Sequence, residues 1–557
     1  MTDYIKLRES NCKNCYKCIR HCPVKSIKFY NNEAHIVGDE CILCGQCYVV
    51  CPQNAKKIRS DRQKVKDAFA AGKRVVASIA PSFVVNFDNM NLATMTAALK
   101  KLGFSDVQET AIGATIVKKE YDKMLNEHKQ DVVISSCCHT VNTLIQKYFP
   151  DVLPSLAHIM SPMQAHCAKI KSEDKDAFTV FIGPCISKKE EADHYPEHVD
   201  CVLTFRGLAN WLKEENIEFE HVEDTCPAGK ARFFPSVGGI IRSMDCTAKD
   251  YEYITVDGVD NCIRALKDIQ NGHIHNCFIE MSACSGGCIE GPAAVRRRAP
   301  ISDHMTVSRY AGEKDFDVPE VSCEQLKKEM PFIGLHRQMP GSRAIEEILH
   351  RMGKYCEDDE LNCGSCGYDT CREKAIAVYL GKADLTMCLP YLKEKAESFS
   401  DTIIKNTPNG ILVLNENLEI QQINRAALDM MNIKHESDVM GGPVVRILNP
   451  QDFIQVMSTE QDIHDKKIYL AEYKKYVEET VIYDKSYKII MCLMRDITDE
   501  ETSRVKKENV SRQTIEITDK VIEKQMRVVQ EIASLLGETT AETKIALTNL
   551  KESLKDE

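Results

Sequence analysis

No apolar stretch of this 557-residue chain approaches the roughly 20 residues needed to span a bilayer. The opening Met1-Thr2-Asp3-Tyr4-Ile5-Lys6-Leu7-Arg8 lacks the apolar core of a secretory signal. Both absences lead to the expectation of a soluble, cytoplasmic protein with no membrane partner. Positive charge is also short. A net charge of −11 argues against nucleic acid as a main partner, because phosphate binding needs a basic surface. No GxGxxG fingerprint occurs, which speaks against direct NAD chemistry on this chain. No histidine follows His464, and no glycine-rich nucleotide loop follows it, so the C-terminal region cannot phosphorylate itself as a histidine kinase does. Any output enzyme, kinase or phosphatase, is expected to be a separate protein.

Cysteine is what the chain has in excess, at 26 residues. Without a secretory signal, that number reads as metal ligation rather than disulfides. In residues 1–60, Cys12-x2-Cys15-x2-Cys18-x3-Cys22-Pro23 is followed by Cys41-x2-Cys44-x2-Cys47-x3-Cys51-Pro52. In such a pair each run supplies three ligands to one [4Fe–4S] cluster, and its fourth cysteine crosses to the other. Cys12, Cys15, Cys18 and Cys51 are therefore expected on one cluster, and Cys41, Cys44, Cys47 and Cys22 on the second. Zinc is the alternative, but it favours two separated cysteine pairs in tetrahedral geometry.

Residues 61–73 read as a short helical linker into a block ending near residue 350. Strands at 75–79, 132–135 and 201–204 alternate with helices at 92–102, 141–148 and 207–214, which predicts α/β architecture with parallel strands. Three cysteine segments each follow a strand-like run. Ser135-Ser136-Cys137-Cys138 follows 131–134, Gly183-Pro184-Cys185-Ile186-Ser187-Lys188-Lys189 follows 178–182, and Cys284-Ser285-Gly286-Gly287-Cys288 follows 276–281. Ligands of α/β sheets sit beyond the carboxyl ends of strands, where free N–H groups favour anions. One end of one sheet is thus expected to gather four thiolates, a spare thiol and a lysine.

These three segments resemble the three H-cluster motifs of [FeFe]-hydrogenases, and the resemblance covers about residues 75–351. It implies reversible splitting of H2 into protons and electrons, with a base beside an open metal site. It makes Cys138, Cys185, Cys284 and Cys288 the ligands of a cubane [4Fe–4S] cluster. Cys288 would bridge to a di-iron subsite carrying CO, cyanide and dithiolate ligands, built by dedicated maturases. Cys137 matches the family's proton-relay cysteine, and Lys188 a lysine that donates to cyanide. Ala80, Pro81, Ser82, Gly183, Pro184 and Ser282 would lie against the cofactor, with the glycine-rich 234–239 close by. Several positions depart from the family pattern. Gly183 and Ser282 stand where methionines are usual, and His139-Thr140 follows the double cysteine. The positions that normally relay protons beyond the cysteine read Tyr121, Met124 and Ala157, leaving Glu120 and Glu190 as possible substitutes. Loss of a positioned acid or base lowers rates by about 10² to 10⁴, so a slow or sensory hydrogenase is expected. Cys167, Cys201, Cys226, Cys246, Cys262, Cys277, Cys323 and Cys492 read instead as buried small hydrophobes.

In residues 351–392, Cys363, Cys366, Cys371 and Cys388 resemble the ligands of a small four-cysteine [4Fe–4S] domain, with Cys356 spare. Zinc competes here as well. That would make three conventional clusters beside the H-cluster. Within 393–500 a helix at 396–405, a hairpin opening at Asn409-Gly410, and strands at 418–423, 468–473, 478–483 and 487–494 are expected. Met494-Arg495-Asp496-Ile497-Thr498 resembles the terminal strand of PAS domains; an interaction fold without ligand is the alternative, and Cys492 reads as core. Over 501–557, Ile515, Ile522, Val529 and Leu536 recur every seven residues, while Thr518, Gln525 and Ile532 are mixed. This short seam should stop near Gly537, with a second helix at 541–554. The expectation is a PAS-linked sensory hydrogenase, dimeric through the PAS domain and C-terminal helix, exchanging electrons with a ferredoxin-like partner. Its rivals are a housekeeping ferredoxin-linked hydrogenase and an iron–sulfur scaffold without the di-iron subsite.

Overall fold

The two cysteine runs fold as a repeated backbone. Asn14 and Leu43, Tyr16 and Gly45, and Lys25 and Asn54 stand 29 positions apart, and all six have positive φ. Positive φ is uncommon for non-glycine residues, and its recurrence at matched positions marks the two runs as one repeated turn structure. The strand Ile5–Leu7 pairs antiparallel with Lys56–Ile58, and Ile27–Tyr30 with Glu33–Ile36. This is a computed structural model, and it describes residues 4–8, 11–88, 90–224, 227–295, 300–335 and 338–553. It divides into two units, Met1–Leu392 and Lys393–Glu557.

In the middle of the first unit, the expected single sheet is two parallel sheets. One orders Asp106–Glu109, Val75–Ile79, Phe178–Gly183 and Cys201–Thr204; the other orders Glu252–Asp257, Cys277–Ser282 and Val132–Ile134. Val75–Ile79 is buried along its whole length, as a strand covered on both faces must be. The cysteine segments therefore leave different sheets and meet between them. Helices Ala111–Asn126 and Pro162–Glu173 pack closely enough that a Cβ on Gly113 would lie 2.3 Å from the Pro162 carbonyl oxygen. The segment expected as a linker is the helix Arg62–Ala70, but Val65 and Ala68 are buried in the core and Asp61 accepts from Lys189 at 2.6 Å. It is a packed element of the fold.

The four-cysteine segment, distant in sequence from the first, sits on it in space. Arg20 Nε donates to the Gly364 carbonyl at 3.2 Å, Lys25 Nζ to Gly367 at 3.2 Å, and the Phe29 N–H to Lys382 at 2.7 Å.

The second unit holds a five-stranded antiparallel sheet in the order Ile420–Ile423, Gly410–Asn415, Ile489–Asp496, Lys475–Asp484, Ile463–Leu470. Its buried face (Leu412, Leu414, Val477, Val481, Ile490, Cys492, Met494) packs with Phe453 and Val456 of the helix Gln451–Thr459. The strand expected at 468–473 begins at Ile463 and ends at Leu470, because residues 471–474 turn, with Lys474 at φ 55. The helix Thr498–Ser553 runs through Gly537 without the expected break. A glycine costs a helix interior only about 1 kcal/mol, and the hydroxyls of Thr539 and Thr540 bond back to Leu535 and Leu536. Ile515, Ile522, Val529 and Leu536 are exposed. Among the described residues, no helix is long and apolar enough to cross a membrane.

Candidate functional site

Strand pairing brings the cysteine segments together. Cys277–Ile279 registers with Val132–Ile134, and the Met281 N–H donates to Ser135 Oγ at 3.2 Å. Cys137 and Cys138 therefore lie beside the segment leading to Cys284 and Cys288. From the other sheet, Phe181 and Lys188 reach the same cavity of about 110 Å³, which Ala80, Pro81, Ser82, Cys137, Cys138, Ser282 and Cys288 also line. Gly183 and Pro184, expected against the cofactor, are not among the cavity's lining residues. A Cβ on Gly183 would lie 2.7 Å from the Phe181 ring, so Phe181 fills the space a larger side chain would need.

Four thiols face one another. Burial, then the neighbouring Cys185, Cys288, Cys138 and Cys44, push the Cys284 thiol far up; burial likewise raises Cys138 and Cys288. Cys288 is exposed and lines the cavity. Cys185 Sγ lies 3.1 Å from Ser187 Oγ.

Cys137 is held from the protein side. Tyr121 Oη is 3.3 Å from its sulfur and accepts the Ser136 N–H at 2.9 Å. Burial pushes the Cys137 thiol up to about 12. Lys188 Nζ donates to the Cys137 carbonyl at 2.9 Å and pairs with Glu191. Burial alone would lower the Lys188 ammonium, but the Glu191 carboxylate and the thiols raise it. Glu191 is shared with Lys328 at 2.5 Å, and against the cost of burial these two cations hold it well below the carboxylate range.

The carboxylates expected to replace the relay do not reach Cys137. Glu120 bonds Cys323, and Glu190 bonds His139 Nε2 at 3.2 Å. Met124 and Ala157 belong to an apolar core. Tyr121, not expected to relay, is the side chain bonded to Cys137. The carboxyl that faces the thiol is Glu280, which lines the cavity and which burial raises to about 7 despite backbone N–H donors at 238–241. Its strand position, between Ile279 and Met281, carried no local sign of this, since it reads as one polar residue in an apolar run. Ser236, from the glycine-rich stretch, is a further cavity hydroxyl.

In the front segment the crossing cysteines meet their partners: Cys18 feels Cys12, Cys15 and Cys51, and Cys47 feels Cys41, Cys44 and Cys22. Cys363, Cys366, Cys371 and Cys388 line one cavity. Among the described residues, no three Cys, His, Asp or Glu side chains converge as a single metal ion requires. Of the remaining cysteines, Cys167, Cys201, Cys262, Cys277 and Cys492 are buried and Cys246 is half-buried. Cys323 is exposed, contrary to expectation, because its helix Cys323–Leu326 turns only Leu326 inward. Cys226 lies outside the described residues.

The cavity has the donors an anionic iron cofactor with diatomic ligands would use. Ser82 Oγ and Ser236 Oγ are buried, line it and have no partner. Unpaired buried hydroxyls are rare, and with the four thiols and Lys188 they fit such a group.

Residues 73–292 match the family described as iron only hydrogenase large subunit, C-terminal domain; residues 4–52 match a 4Fe-4S dicluster domain, 359–390 a putative Fe-S cluster, and 398–505 the PAS fold. Iron hydrogenase 1 of Clostridium pasteurianum is 28% identical over 441 residues, 63% of this chain and 77% of the relative. A cytosolic Fe-S cluster assembly factor, NAR1 of Lodderomyces elongisporus, is 24% identical over 238 residues, 35% of this chain and 40% of the relative. The solved [FeFe]-hydrogenase HydA1 of Chlamydomonas reinhardtii, in a glutamate-to-alanine variant, aligns with a TM-score of 0.39 at 17% identity, covering 50% of this chain and 100% of that one.

Proposed function

Because residues 73–292 form an iron-only hydrogenase large-subunit domain, set among iron–sulfur and PAS domains, we propose that this chain is a slow [FeFe]-hydrogenase that reports H2 or redox state through its PAS domain. The observation that carries the reading is the cavity where Cys137, Lys188, Cys288 and two unpartnered hydroxyls converge. Cys138, Cys185, Cys284 and Cys288 would hold a cubane cluster and its di-iron subsite. When bound, that group supplies the open metal position for reversible H2 heterolysis and a store for the electrons.

The rest follows from the chain. A thiol raised to about 12 keeps Cys137 protonated at neutral pH, so it can hold a proton at the cavity wall. Lys188, kept charged by Glu191, directs an ammonium into the same dry space, where a charge-assisted bond to an anionic ligand is strong. Behind Cys137 stands Tyr121, whose phenol burial pushes far above its ordinary value, so it holds its own proton and does not pass one on. Turnover about 10² to 10⁴ below that of a carboxylate-relayed site follows. Cys44 neighbours Cys284, so the residues that would hold a front cluster adjoin those that would hold the cubane, an arrangement that suits electron exchange with a ferredoxin-like carrier. The exposed apolar positions on the helix Thr498–Ser553 suit a second copy, and the output enzyme is a separate protein.

The similarity to an Fe-S assembly factor supports a second reading, a scaffold that never receives the di-iron subsite. The infrared spectrum of the full chain, matured with its assembly proteins, decides between them. CO and CN⁻ bands with slow H2 turnover are expected. Their absence in protein with full cubane iron would overturn the hydrogenase reading.

A further inference from the structure

A chain of hydrogen bonds runs from the surface to the cavity wall on the side away from Cys137, and its hydrogens can be assigned one by one. Asp106 Oδ1 accepts the Val107 N–H and Oδ2 accepts Gln108 Nε2, each at 2.9 Å. The Gln108 amide nitrogen therefore faces the carboxylate, and its Oε1 is the atom 3.2 Å from His166 Nε2. An amide oxygen only accepts, so Nε2 carries the imidazole hydrogen. His166 is fully buried, which pushes its protonation down to about 3 and leaves one ring hydrogen at neutral pH. Nδ1 is then bare, and Ser78 Oγ, 2.8 Å away, must donate to it. Ser78 also touches Cys167, but a thiol is a weak acceptor beside an imidazole nitrogen. Having spent its hydrogen, Ser78 accepts from Thr110 Oγ1 at 2.8 Å.

Thr110 lines the cavity and is the N-cap of the helix Ala111–Asn126, yet its side chain makes no capping bond. A threonine at an N-cap usually accepts a helix N–H; this hydroxyl is turned to Ser78 instead. We propose that Thr110 is a positioning residue whose hydroxyl, locked inward by the Asp106–Gln108–His166–Ser78 chain, offers the bound di-iron cofactor only hydrogen-bond-accepting lone pairs. Lys188, Ser82 and Ser236 present donors to the same cavity, so Thr110 sets an acceptor against them and favours the orientation that brings a hydrogen-bearing ligand atom to it. The chain orients and does not conduct, because the Gln108 amide cannot pass a proton on without changing tautomer. The proposal rests on the hydrogenase reading for its ligand, while the locking of the hydroxyl does not.

The test uses the full chain matured with its di-iron cofactor. T110V, which keeps the shape and loses the acceptor, should shift the infrared CO or CN⁻ bands beyond their width and lower H2 turnover about tenfold, the equivalent of one neutral hydrogen bond. T110S should restore the wild-type bands. S78A frees the Thr110 hydroxyl to turn outward, so its bands should split or broaden. Superposable bands in wild type, T110V and S78A would overturn the proposal. Should wild type show no bands at all, the hydrogenase reading fails instead. The locking is then decided in cofactor-free protein by ¹⁵N resonances of labelled histidines: a neutral Nε2–H tautomer at His166 supports it, and an Nδ1–H tautomer overturns it.

Discussion

Cys492 and Cys137 each sit beside a buried carboxyl group, one in each unit, and their surroundings separate them. In the PAS domain, Cys492 Sγ donates to Glu479 Oε1 at 3.2 Å, both on the inward face of adjacent strands. Burial raises both groups, and the residues around them are Val477, Val481, Ile490 and Met494. In the hydrogenase domain, Cys137 lies near Glu280, and the pair opens on a cavity with Lys188, Tyr121 and four backbone N–H groups close by. The first pair satisfies itself and fills a core. The second stands open at a cavity wall, with a cation beside it. Burial and a raised thiol are common to both, so they do not by themselves mark a reactive centre.

C137A tests that contrast most severely. Hydrogen turnover should fall by about 10² to 10⁴ with iron content unchanged, and a loss of only a few-fold would put the two thiols on the same footing. Next is the cation side. E191A leaves the Lys188 and Lys328 ammoniums buried without their shared carboxylate, which should cost about 3–5 kcal/mol of stability; an unchanged unfolding midpoint would mean that Lys188 is held by other groups. Glu280 gives a pH signature. Its carboxyl is raised from 4.5 to about 7, so between those values the folded chain keeps a proton that the unfolded chain releases. Stability then falls as pH climbs through that window and levels off above it. E280Q removes the slope, and its stability relative to wild type should improve by on the order of 2–3 kcal/mol between about pH 5 and pH 8. Parallel pH profiles of the two proteins would place Glu280 with the silent carboxyls. Smallest is C492A, which leaves Glu479 buried without its donor. About 1–3 kcal/mol should be lost from the PAS transition while H2 turnover is unaffected, and a drop in turnover would give the PAS pair a part in catalysis.

The residues legible beforehand were those whose chemistry is written in local spacing. The helix at Leu92–Leu102 and the strands at Val75–Ile79 and Cys201–Thr204 occur at their expected bounds, because hydrophobic periodicity and capping are local. The linker 61–73 misled because its helix buries one face against a strand that polarity alone does not reveal. The break at Gly537 misled because one glycine is a weak stop without a turn to follow it. Within the cavity, Lys188 was legible as part of a motif. Glu280, Tyr121 and Thr110 acquire their roles from partners on other elements.

The order and spacing of the cysteines, read without coordinates, determined the iron–sulfur character of this protein, because a cluster's ligands must be close and short loops hold them so. Only the tertiary structure decided which groups stand behind Cys137, that one expected sheet is two, and that the hydroxyl hydrogen of Thr110 is directed to Ser78 rather than into the cavity Thr110 lines. These depend on side chains brought together from strands and helices up to about 150 residues apart, and a hydrogen bond across such a distance has no spacing from which to be read.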